Sequence, residues 1–175
     1  MKWKDKLLKK LSVELTYDTE WNNYIEQLKC DYPSIGVHLA VFSEAILSEL
    51  LAGRKTVESR FSTNRVSPFG KIQAGDIILV KRSGGPVVGV FLAGTINSFS
   101  NLTPSNMRVI RSEYSTRLGL PEKSKFWTEK LDAKYGTLIS IKKFKQLSPF
   151  PVEKRDRTGW VVLQERSMND LFIQK

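Results

Sequence analysis

Between Val37 and Phe61 the hydrophobic pattern changes period twice, and no other stretch constrains the fold as tightly. Val37 to Phe42 is an apolar run of strand length, in which His38 alternates with apolar neighbours. Ser43 follows at the position of a helix N-cap, and Ile46, Leu47, Leu50 and Leu51 form the apolar stripe of a helix. Gly53 stands where a helix C-terminus commonly needs a left-handed residue. A second strand resumes over Thr56 to Phe61. Strand, helix, glycine and strand in immediate succession predict a mixed α+β domain.

The remaining pattern fits the same plan. Trp3, Leu7, Leu8 and Leu11 share one side of a short basic helix, which is expected to dock on the domain. Thr19 is placed to cap a second helix carrying Trp21, Tyr24, Ile25 and Leu28, and Pro33 closes it. A loop runs from Ser62 to Lys71. Gly75-Asp76 then opens a strand over Ile77 to Val80, and Ser83-Gly84-Gly85-Pro86 turns it into a hairpin with Val87 to Ile96. Helices are expected over Ser105 to Leu118 and Phe126 to Tyr135, the second stopped by Gly136. Strands are expected over Thr137 to Ile141, Phe144 to Leu147 and Trp160 to Leu163. Residues 1–33 read as an N-terminal helical extension and residues 34–175 as one domain, a division suited to a chain of 175 residues with a single core.

Lys and Arg number 28 against 18 Asp and Glu, a formal net charge of +10. A nucleic-acid partner is the first reason for such an excess, because clustered cations bind phosphates and release counterions. Solubility is the alternative. Cys30 is the single cysteine, which excludes an intramolecular disulfide and a Cys-rich metal site. No phosphate-binding glycine loop, zinc signature or dinucleotide fingerprint is present, so neither a cofactor nor a metal is expected. The charged start, Met1 to Lys6, precedes no long apolar run. Neither a signal peptide nor a membrane span is therefore expected, and the expectation is a cytoplasmic protein without a membrane partner.

The most informative stretch is Leu51-Ala52-Gly53-Arg54-Lys55-Thr56-Val57-Glu58-Ser59-Arg60. Gly53 frees the backbone for a sharp helix-to-strand reversal. Lys55 stands just past it with three donors on a mobile stem. On a strand, Glu58 and Arg60 point to one face and can pair, with Thr56 on the same face. Lys55 has the other parity unless the turn swings it round. Gly53, Lys55, Glu58 and Arg60 match the pattern G-x-K-x-x-E-x-R, and the chain here resembles the ASCH family of the PUA-like superfamily. The resemblance spans roughly Ser34 to Leu147 and implies a β-barrel of mixed strands with flanking helices.

The resemblance also implies a function, because such domains are generally RNA-associated and some relatives read modified bases in a pocket. The expectation is an RNA- or nucleotide-binding domain that holds nucleic acid or a nucleobase in a basic cleft. Lys55 and Arg60 would contact phosphate or base, while Glu58 would orient Arg60 or accept from a base amino group. The same three residues are the catalytic candidates if the chain is a hydrolase. Two such activities come with the resemblance, a ribonuclease and an amidohydrolase that removes the acetyl group of N4-acetylcytidine. In the latter a threonine nucleophile lies three residues after the motif lysine, where this chain has Glu58; Thr56 is one residue on. The enzyme question and the oligomeric state stay open.

Two further basic clusters are candidate contacts. Lys81 and Arg82 adjoin Ser83-Gly84-Gly85, where small residues could let a phosphate approach the backbone, unless the cluster is only an exposed hairpin tip. Residues 142–157 carry Lys142, Lys143, Lys145, Lys154, Arg155 and Arg157, a segment that would widen the electrostatic footprint. Trp160 follows closely and could stack on an unpaired base, although its placement beside Val161, Val162 and Leu163 favours a core role. His38 and Ser43 are read as structural.

Overall fold

A computed structural model describes residues 2–154 and 156–167. Five helices and six strands occur among them: α1 (Trp3–Leu15), α2 (Asn22–Lys29), β1 (Val37–Phe42), α3 (Glu44–Leu51), β2 (Val57–Ser62), β3 (Ile77–Arg82), β4 (Val87–Ser100), α4 (Pro104–Leu118), α5 (Lys125–Glu129), β5 (Tyr135–Phe150) and β6 (Trp160–Gln164). The strands form one sheet in the order β2-β5-β4-β3-β1-β6. β1 and β3 run parallel and every other pair is antiparallel.

Strands β4 and β5 are the long strands, with 14 and 16 residues. Their pairing shifts register at three places, and Lys143 takes a left-handed φ of 47°. Such irregularities bend a strand and raise its twist. The sheet therefore curls until its two edges meet. Arg60 on β2 donates from Nη2 to the Val41 carbonyl at 3.0 Å and from Nη1 to the Gly159 carbonyl at 3.2 Å. One side chain thus ties β2 to the far edge made by β1 and β6, and the sheet becomes a half-barrel.

Alternation along the strands sorts the core into an inside and two outsides. Ala40, Phe42, Ile78, Val80, Phe91, Ile139 and Trp160 fill the curl, and Leu47 and Leu50 of α3 pack among them. On the outer face of β1, β3 and β4, the residues Leu7, Leu11 and Leu15 of α1 join Trp21 and Ile25 over Leu39, Ile77, Leu79 and Val90. Helices α1 and α2 thus share a core with the sheet, and the basic helix docks as expected. On the outer face of β2 and β5, Val57, Phe61 and Leu138 pack against Met107, Ile110, Leu118 and Trp127. Among the described residues, no helix is long and apolar enough to cross a membrane.

Several element boundaries differ from the sequence expectation. α2 begins at Asn22 because Asp18 organises a turn first, accepting from the Glu20 N–H through its side chain and from the Trp21 N–H through its carbonyl. Ser43 does occupy the N-cap position of α3, but its side chain makes no capping bond. The helix expected to reach Tyr135 ends at Glu129. Gly136 is a strand residue, where a Cβ would lie 2.8 Å from the Phe61 ring. Close packing of that ring, rather than a helix stop, requires the glycine. The two strands expected after it are one, continuous through the bulge at Lys143.

Candidate functional site

The Gly53 reversal does what its sequence implies and adds a consequence. Gly53 has φ of 72°, and the backbone N–H groups of Arg54 and Lys55 both donate to the Glu49 carbonyl. The chain then turns into β2 with the Thr56 N–H on the Arg117 carbonyl of α4. This turn swings Lys55 inward, where it is 3% exposed. Its ammonium meets the Val57 carbonyl at 2.7 Å, the Leu118 carbonyl at 3.1 Å and Glu58 Oε2 at 3.1 Å. Three donors thus have three acceptors inside the protein.

Glu58 is buried between two cations. Its other oxygen lies 2.8 Å from Arg60 Nε, an ionic contact in which Nε makes no aligned hydrogen bond. Arg60 is the outermost member of the chain Lys55–Glu58–Arg60. Its guanidinium carbon lies 5.2 Å from the Trp160 ring centre and 5.5 Å from that of Phe42. Three acceptor atoms and two aromatic rings together hold it in one orientation.

Beside Arg60 opens a cleft of about 610 Å³. Its walls are the β2 edge with Phe61 and Ser62, the loop from Arg65 to Phe69, Tyr135 and Thr137 of β5, and the segment Thr158–Trp160. It is the open seam of the half-barrel. Arg65 is exposed at its rim, with the guanidinium carbon 5.4 Å from the Phe69 ring centre. Phe69 in turn meets Tyr135 edge-on at 5.0 Å between centres.

Trp160 is anchored from behind. Its indole N–H donates to His38 Nδ1 at 3.2 Å, which leaves the imidazole proton on Nε2, 3.2 Å from Asp76 Oδ2. Asp76 also accepts from the Gly36 and Gln73 N–H groups and from Arg166 Nε. Burial pushes the Asp76 carboxyl up, but the bonds from His38 and those two backbone groups outweigh it and hold it below the usual carboxylate range. The solitary histidine is thus a fixed structural link, as the sequence suggests.

The other sequence candidates lie elsewhere. Lys81 is buried and donates to the Arg82 carbonyl at 3.1 Å; burial and the neighbouring Lys154 ammonium lower its pKa. Arg82 Nε lies 3.4 Å from Glu44 Oε2. Neither residue lines the cleft. Arg157 is exposed next to Thr158 of the cleft wall, and Arg155 lies outside the described residues. Of the eight candidates, Arg60 and Trp160 line the cleft, with Glu58 and Lys55 in line behind Arg60. The sequence reading missed Arg65, Phe69, Tyr135, Thr137 and Thr158. A long loop bearing a cation and an aromatic was the available signal for the first two. Among the described residues, no group of His, Cys, Asp and Glu is arranged to hold a metal ion.

Comparison of the coordinates with solved structures gives a consistent answer. An ASCH protein from Zymomonas mobilis is similar at a TM-score of 0.57 and 12% sequence identity, covering 73% of this chain and 87% of that one. A mutant of the same protein is similar at a TM-score of 0.58 and 12% identity, covering 75% of this chain and 90% of that one. No protein-family model matches the sequence, and no curated protein matches it. The likeness is one of fold: the chain has the α+β fold of ASCH and PUA-like domains, a mixed six-stranded half-barrel with flanking helices.

Proposed function

We propose that the chain binds RNA or a nucleotide in the cleft beside Arg60. The observation that carries this reading is the joining of two guanidinium groups, Arg60 and Arg65, with Phe69, Tyr135 and Trp160 around one cavity of about 610 Å³. Unpaired bases are held by aromatic and guanidinium planes, and phosphates by cations at the rim. A cavity of this size suits a ligand as large as a nucleotide. Lys55 and Glu58 support the site from behind: the lysine holds the carboxylate and the carboxylate holds Arg60. The excess of positive charge supplies long-range attraction for a polyanion.

Hydrolysis, either of RNA or of a modified nucleoside, is the alternative and has less support. Among the described residues that line the cleft there is no carboxylate, imidazole or lysine to serve as a general base. Labelled single-stranded RNA mixed with the protein separates the two, since retention of intact RNA supports the module and cleavage supports the enzyme. Arg65 is the residue to change, because it is exposed and makes no described bond that closes the barrel seam. Arg65→Ala is expected to weaken binding by roughly 3- to 10-fold. Affinity should also fall steeply between low and physiological salt. A wild-type protein that binds neither RNA nor nucleotides at low salt sinks the proposal.

A further inference from the structure

Thr137 sits on β5 directly across from Arg60 on β2 and lines the cleft, yet it is 1% exposed. Among the described residues its hydroxyl has no hydrogen-bond partner. Three of its polar neighbours in the cleft do have partners. Arg60 donates to Val41 and Gly159, Ser62 Oγ donates to the Asn64 carbonyl at 2.6 Å, and Thr158 Oγ1 donates to the Asp156 carboxylate. A buried hydroxyl without a partner is destabilising, and native proteins hold few of them. Valine has the same shape, suits a strand equally well and carries no such cost. The fold itself therefore makes no use of the Thr137 oxygen.

We propose that Thr137 reads the ligand, its hydroxyl bonding the edge of a nucleobase inserted to the floor of the cleft while the phosphate stays at the rim beside Arg65. This rests on the nucleotide-binding reading of the same cleft. The charge distribution decides the direction of insertion. At the floor, the Arg60 charge is shared with Glu58 and its Nη atoms are engaged by main-chain carbonyls, so a phosphate there would meet little free positive charge. At the rim, Arg65 is exposed. A hydroxyl both donates and accepts, as a base edge requires, and Tyr135 and Trp160 offer an apolar surround.

The test is a calorimetric titration of wild type, Thr137→Val and Thr137→Ser with the four nucleoside 5′-monophosphates and with inorganic phosphate, together with a thermal melt of each free protein. The expected result has wild type binding at least one monophosphate, Thr137→Val binding it roughly tenfold more weakly and Thr137→Ser retaining most of the affinity. The free valine variant should melt no lower than wild type. Equal affinity of Thr137→Val and wild type overturns the role of Thr137 and leaves the cleft reading standing. So does a valine variant that melts several degrees lower, since its hydroxyl would then have had a structural partner. Inorganic phosphate binding as tightly as the monophosphates overturns the direction of insertion. Wild type binding none of these probes and no labelled RNA overturns the nucleotide reading itself.

Discussion

Glu58 is the residue on which the motif turns. It is 4% exposed and stands between the ammonium of Lys55 and the guanidinium of Arg60. A buried pair is weak evidence of net stability, but removal of one partner strands the others. Glu58→Gln keeps the shape and removes the charge, leaving two cations facing an amide. It is expected to lower stability by about 3 kcal/mol, read as a shift in the urea midpoint at constant m-value. A loss below about 1 kcal/mol would mean that the two cations find enough support in the carbonyls alone. The chemistry of this cluster was legible, because strand parity puts Glu58 and Arg60 on one face. The inward swing of Lys55 was not, because it depends on the turn after Gly53 and on the Leu118 carbonyl, which comes from a distant helix.

Helix α1 shows how an element's own period can suffice. Leu7, Leu11 and Leu15 recur at helical spacing, all three are buried, and Lys4 reaches over to the Val162 carbonyl at 2.7 Å. Leu11→Ala removes a side chain that is 0% exposed and should cost about 2–5 kcal/mol in a denaturant titration. A cost below about 1 kcal/mol would show that α1 is peripheral to the cooperative unit. Strand β5 shows the opposite case. Its middle reads Lys142-Lys143, which breaks the alternation, and the bulge that carries the strand past this point exists because β4 pairs along its length. Likewise the polar stretch of β4 beyond Ile96 is a strand because β5 is beside it. Pairing partners, not local preference, set these two lengths.

Across the whole molecule, one buried network joins parts that are far apart in the chain. Asp76 before β3 receives bonds from Gly36, from His38 of β1 and from Arg166 after β6, and through His38 it reaches Trp160 at the cleft. The folded carboxyl is held below its usual range, so it binds protons less readily than in the unfolded chain. Its contribution to stability is therefore complete above the unfolded pKa of about 3.9 and disappears as the pH falls through the lower folded value. Acid should weaken the fold in that window, and Asp76→Asn should flatten the dependence while lowering stability at neutral pH. Urea midpoints measured from pH 7 down to pH 3 check this; an unchanged acid slope in the variant would exclude Asp76 as its source.

By itself the amino-acid order determined the features that arise from nearest neighbours along the backbone. These are the glycine reversal, the stripe of α1, the strand–helix–strand unit and the pairing of Glu58 with Arg60. Period and parity are properties of a single element, so one stretch of sequence contains them. Only the tertiary structure decided that Lys55 is sealed inside, that Arg65 and Thr137 border the cleft, and that Trp160 is tethered through His38. Each of these needs residues from opposite edges of the sheet to meet. That meeting follows from strand order and from the bends in β4 and β5, which no local pattern encodes.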